Sequence, residues 1–179
     1  MRGFGFVVAN YLTFVVLTCL LAGLQASLWF HIFGFFPAPY LWLAVLNYWV
    51  LYRSIYEAVV MSYLVSYAVV TMSGVPLDMA FGMNLTIVGT IYLLRDRVLW
   101  SGPNSFMLSC GISAAILPIS TFILSHIIED SSSMDFHFYD FLIRPLLTAV
   151  FSLPLFYFFG KLDRLLRKEP PKNTEADVV

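Results

Sequence analysis

Charge is scarce in this sequence of 179 residues: Asp, Glu, Lys and Arg make up 12% of it, and the formal net charge is -1. Without a basic face there is no electrostatic footprint for DNA or RNA, whose binding is dominated by neutralising phosphates. Cysteine is nearly absent. Cys19 and Cys110 each lie inside a long apolar run, where a thiol packs as a small hydrophobe and builds neither a disulfide framework nor a metal knuckle. Familiar catalytic motifs are missing too: there is no HExxH zinc pair, no GxSxG elbow and no Walker loop. The residues therefore point to a non-enzymatic protein with no cofactor.

What fills the chain instead is apolar surface, with 60% hydrophobic residues, 17% aromatics and a mean hydropathy of +0.82. A water-soluble core of this size cannot hide so much of it. Six apolar stretches stand out, at about residues 5–30, 40–52, 55–73, 76–94, 104–128 and 138–160. The first follows a single basic residue, Arg2, and is too long for a cleaved signal peptide. At about 1.5 Å per residue it covers on the order of 39 Å, enough for an uncleaved spanning helix. The second is short, and either spans or re-enters.

Basic residues test the helix count independently, because they gather in alternate, cytoplasmic loops. With the N-terminus inside, nine of the ten fall on the inner side: Arg2, Arg53, Arg95, Arg97, Lys161, Arg164, Arg167, Lys168 and Lys172. Only Arg144 falls toward the outside, where the loop from Glu129 to Asp140 is acidic. The expected fold is an all-α polytopic bundle of about six transmembrane helices, with both termini cytoplasmic. It covers residues 1–168, and residues 169–179, with Pro170-Pro171, form a short disordered cytoplasmic tail. Pro118, Pro145 and Pro154 fall inside helical stretches and predict kinks.

Charges at the edge of the apolar slab are the first candidates for function. Asp78 opens the fourth helix and Arg144 lies near the start of the sixth, which puts both near the outer surface. They either pair, shaping an outer cavity or partner surface, or each reaches interfacial water. Arg53 with Glu57 and the Arg95-Asp96-Arg97 turn read as topology anchors or lipid-headgroup contacts. His126, Glu129, Asp130 and His137 are a candidate for an outer cation site. Small residues recur at helix-packing spacing: Ala22 with Ala26, Gly23 with Ser27, Ser62 with Ser66, and Ser109, Gly111, Ser113 and Ala115. They pack either within the bundle or against another protein. Trp29, Trp42, Trp49 and Trp100 largely border the proposed spans, as an aromatic belt does.

From Phe36 to Leu94 the chain resembles the bacterial rod-shape-determining MreD family. The matching segments are Pro37-Ala38-Pro39-Tyr40-Leu41-Trp42, Leu46-Asn47-Tyr48-Trp49-Val50-Leu51 and Met72-Ser73-Gly74-Val75-Pro76-Leu77, with Leu153-Pro154-Leu155-Phe156 near the end. Two positions depart from the family pattern. Val70, with Thr71 beside it, stands where the family often carries an Asp before the Ser-Gly turn, and Asp78 where a Gly commonly follows the turn leucine. The resemblance implies a bacterial inner-membrane protein of the cell-elongation machinery. It would bind the bitopic protein MreC and, through the complex, link MreB filaments to peptidoglycan synthesis, with no small-molecule substrate. Pro39, Trp49, Ser73, Gly74, Asp78 and Arg144 are then candidates for a partner interface or cavity. The rival reading is the substrate-binding S component of an energy-coupling-factor vitamin transporter. That reading requires an outward cavity with convergent polar groups, drawn from Asp78, Asn84, Asn104, Arg144 and the outer-loop acids.

Overall fold

A computed structural model describes residues 4–34, 36–95, 102–128 and 138–166. The expectations for Asp96 and Arg97, for Trp100, for the acidic loop with Glu129, Asp130 and His137, and for the tail fall outside these residues. The first apolar stretch folds as α1 (Phe4–Gly23), which passes through one π-helical turn (Leu24–Leu28) into α2 (Trp29–Phe33). Together they form a rod about 45 Å long at 1.5 Å per residue. Gly34 stops it at φ +58, a backbone angle that favours glycine.

After residues 36–40 come α3 (Leu41–Tyr52), α4 (Ile55–Ser73), α5 (Leu77–Arg95), α6 (Pro103–Ile128) and α7 (Phe138–Leu165). Local chemistry sets the boundaries. The Oγ of Ser54 accepts a hydrogen bond from the Glu57 amide at 3.4 Å, half of the Ser-x-x-Glu capping box that starts α4. Gly74, at φ +69, closes α4 in the left-handed cap conformation, and Pro103 begins α6 where a missing amide costs nothing. The helices continue through Pro118, Pro145 and Pro154, and α7 runs five residues beyond the apolar stretch that announces it.

Five segments are long and apolar enough to cross a membrane: Val7–Phe33, Ile55–Ser73, Leu77–Arg95, Pro103–Ile127 and Phe141–Leu165. The protein is an all-α, multi-pass membrane bundle. The remaining helix, α3, packs against α1, α4, α5, α6 and α7, so the longer helices surround it. All residues from Trp42 to Val50 are buried. A helix apolar on every side belongs in such a position. It also corrects the aromatic-belt expectation for two tryptophans, because Trp42 is 7% exposed and Trp49 0%. They are core residues, not interfacial ones.

At about 18 Å, α3 is too short to cross a hydrocarbon layer of about 30 Å. The extended residues before it supply the difference. Its two ends meet α7 at Arg144 and Thr148 on one side and at Asp163 on the other. Those contacts lie fifteen to nineteen residues apart, on the order of 22–28 Å along that helix. The segment therefore passes through the bundle and does not re-enter. Extended backbone at this depth must have its polar groups satisfied by protein. Pro37 and Pro39 carry no amide hydrogen, and the Tyr40 amide donates to Thr148 Oγ1 at 2.9 Å. The Phe36 carbonyl accepts from Trp29 Nε1 at 3.0 Å.

Candidate functional site

Three polar nodes fix α3 within its ring of helices. At the end where Arg53 and Arg95 gather, called here the basic end, Arg53 pairs with Asp163 of α7 at 2.5 Å. Tyr48 donates its hydroxyl to the second carboxylate oxygen at 2.7 Å. Both charges are buried, so each holds the other's desolvation in check; removing one partner of such a pair costs about 3–5 kcal/mol. The guanidinium of Arg53 also lies 5.4 Å from the Trp49 ring centroid, a cation–π distance. Arg95 donates to the carbonyls of Val50 and Arg53, at 3.2 and 3.4 Å, satisfying acceptors left over where α3 ends. Arg53 is thus a core residue and not a lipid-headgroup contact.

The middle node is Asn47. Its amide donates to the Leu43 carbonyl at 2.9 Å, and its Oδ1 accepts from the hydroxyls of Ser109 and Ser113 on α6, the latter at 2.8 Å. The small-residue stripe of α6 is therefore intramolecular. Ser109 and Ser113 face α3, while a Cβ at Gly111 would stand 3.3 Å from Ala149 Cβ of α7, so that glycine permits the close α6–α7 approach. Ser62 and Ser66 likewise face inward, whereas Ala26 and Ser27 are exposed.

At the opposite, far end, Arg144 donates to the Tyr40 hydroxyl at 2.9 Å and stands 5.4 Å over its ring. Thr148, one turn on, takes the Tyr40 amide and donates to the Arg144 carbonyl at 2.7 Å. The structure thus gives Arg144 to the central helix. Asp78 is exposed, and its carboxylate accepts from the adjacent Met79 amide at 3.0 Å. Of the other named candidates, Pro39 and Trp49 are buried, which leaves them no surface for a partner. Ser73 and Gly74 are exposed at the α4–α5 turn.

Beside this far node lies a cavity of about 370 Å³ between α4, α5, α6, the π turn and the start of α3. Its wall is largely apolar, with Trp42, Val69, Val75, Met79, Met83 and Leu117, and among the described residues no charged side chain lines it. Asn84 and Gln25 contribute the notable polar atoms. Asn84 is 1% exposed, and its amide nitrogen donates to Ser66 Oγ at 2.8 Å. That serine already donates to the Ser62 carbonyl at 2.7 Å, so it must accept from Asn84. The network fixes the amide orientation and leaves Asn84 Oδ1 buried without a partner, as is Gln25 Oε1. An unsatisfied buried acceptor costs about 1–3 kcal/mol.

Of the residues nominated for an outward cavity, Asn84 lines this one; Asp78, Asn104 and Arg144 are not in its wall. Asp163, Asn47 and Gln25 belong to no sequence motif that marks them for a role. Asp163 was legible in principle, since Thr148, Ser152, Phe156, Phe159 and Asp163 recur at helical spacing on one buried face. Among the described residues no group of three or more His, Cys, Asp or Glu side chains is placed to hold a metal. No family model, curated protein or solved structure matches this chain.

Proposed function

We propose that the chain is a non-enzymatic membrane scaffold of the MreD type, which holds a single-span partner of the cell-shape machinery in the bacterial inner membrane. The observation that carries this reading is the uncovered side of the α1–α2 rod. Leu12, Val16, Leu20, Leu24 and Leu28 repeat every four residues along it, each at least 43% exposed, while its other side packs on α3 and α4. The stripe continues into Phe30, Ile32 and Phe33, and Phe36 beyond them, all more than half exposed. The rod is about 15 Å longer than a hydrocarbon core of roughly 30 Å, so an untilted rod carries this tip above the lipid tails. A partner with one helix and an extracytoplasmic domain fits such a surface, meeting the stripe within the bilayer and the tip outside it.

Of the residues on which the transporter reading draws, Asn84 lines the cavity while Asp78, Asn104 and Arg144 do not, which favours the scaffold; the outer-loop acids lie outside the described residues. The test places a photo-crosslinking amino acid at Val16 and, separately, at Phe30 in the full-length protein in native membranes. Adducts with one bitopic protein bearing a large extracytoplasmic domain are expected from both positions. Adducts with the transmembrane coupling subunit of an ATPase would replace this reading with substrate uptake, and adducts with lipid alone would remove its support.

A further inference from the structure

We infer that the far-end cavity is a binding site for a neutral amphipathic molecule with an apolar body and an N–H or O–H donor head, received by Asn84 Oδ1 and Gln25 Oε1. This goes beyond the scaffold reading and does not depend on it. Three observations converge. The space, about 370 Å³, falls within the roughly 300–1,000 Å³ usual for small-molecule sites, and most of its wall is apolar. Two amides of different segments, the π turn and α5, each place a buried oxygen without a partner in residues that line it. The Ser62–Ser66–Asn84 relay uses one N–H of Asn84 and fixes the orientation of its amide, which leaves Oδ1 as the unsatisfied acceptor.

The chemistry of the occupant follows from what these groups can do. Carbonyl-type oxygens accept hydrogen bonds and donate none, and no cationic side chain lines the described wall, so a carboxylate or phosphate would give up its hydration here with no counter-charge to offset the loss. A wall without acidic side chains gives a cation no counter-charge to offset its desolvation. A neutral donor can satisfy such an oxygen without burying a charge. The buried part of the wall, at Trp42, Met79 and Asn84, lies below an exposed rim at Ser73 and Pro76. The donor head therefore enters first. Methionine at positions 79 and 83 gives the wall an adaptable surface, which suits an apolar body of irregular shape. The π turn that carries Gln25 is itself a local rearrangement of helix geometry of the kind that occurs at binding sites.

The test uses the full-length protein in mild detergent and two probes of nearly the same shape, indole and indene, which differ in the N–H donor. Thermostability is read by size-exclusion chromatography after heating over a range of probe concentrations. Indole is expected to stabilise the protein saturably, with an apparent affinity on the order of fivefold above indene, the worth of about one net hydrogen bond. Asn84→Leu should abolish that discrimination. Ser73→Trp, which crowds the rim without entering the core, should abolish binding of both probes, and Gln25→Leu provides a second oxygen deletion if Asn84→Leu does not fold. Equal responses to indole and indene, or a preference for indole that survives these substitutions, would overturn the inference, as would no response to either probe, which leaves only water in the cavity. Solvent extraction of the purified protein followed by mass spectrometry separates the two natural sources. A species depleted in Asn84→Leu is either a hydroxyl- or amide-bearing lipid from the bilayer or a small solute from outside.

Discussion

At the basic end of α3 a buried ion pair, the Tyr48 hydroxyl and the rings of Phe14, Tyr48, Phe106 and Phe159 fill the space between helices. At the far end the chain enters as extended Pro-Ala-Pro, held by one arginine and one threonine, and runs beside a cavity with unsatisfied acceptors. The same central helix is thus closed by dense packing on one side and left with room on the other. The difference places cohesion and opening at separate ends. Interactions among desolvated charges are all-or-none, because losing one member strands the other. Neutral hydrogen bonds beside a cavity can be exchanged for those of an occupant or of water.

The sharpest way to break this comparison is Asp163→Ala. It strands the Arg53 charge and the Tyr48 hydroxyl, and a loss of about 3–5 kcal/mol is expected in a denaturation titration of the detergent-solubilised protein. The double variant Arg53→Met with Asp163→Leu should recover most of that loss, since an apolar pair of similar volume leaves no stranded charge. If Asp163→Ala costs less than about 1 kcal/mol, the basic end is not what holds α3. A smaller effect is expected from Asn47→Leu. It leaves two serine hydroxyls on α6 without their acceptor and should cost about 1–3 kcal/mol in the same titration.

At the far end, Arg144→Met removes a charge-assisted hydrogen bond and a cation–π contact to Tyr40 and should cost about 2 kcal/mol. A loss as large as that of Asp163→Ala would erase the contrast between the ends. The smallest effect belongs to Asp78→Asn, because this side chain is exposed and bonded within its own helix turn. Its stability should stay within about 0.5 kcal/mol of the parent, and a larger change would point to a partner that Asp78 meets elsewhere.

Much of the architecture was legible in the residues themselves. The long apolar stretches became the spanning helices, and Gly74, Pro103 and the Ser54–Glu57 cap put boundaries where local backbone chemistry requires them. Less of the site was legible. Trp49 reads as a belt residue and proves to be core; Arg53 reads as a topology anchor or lipid-headgroup contact and proves to be half of a buried pair. Asp78 and Arg144 invite pairing by their positions, yet Arg144 serves Tyr40, from a segment over a hundred residues earlier in the chain. Ser109 and Ser113 read as a packing stripe without saying that the groove holds Asn47.

The sequence by itself determined the class of the protein, the number and approximate extent of its helices and the caps that end them, because apolar length and turn chemistry are local properties of the chain. Tertiary structure alone decided that the shortest apolar stretch would lie at the centre, that Asp163 would answer Arg53, and that Asn84 and Gln25 would border one cavity. Lipid tails are as apolar as leucine, so hydropathy gives the same signal for a face turned to the membrane and a face turned to another helix. Only the packing of the helices against one another tells the two apart.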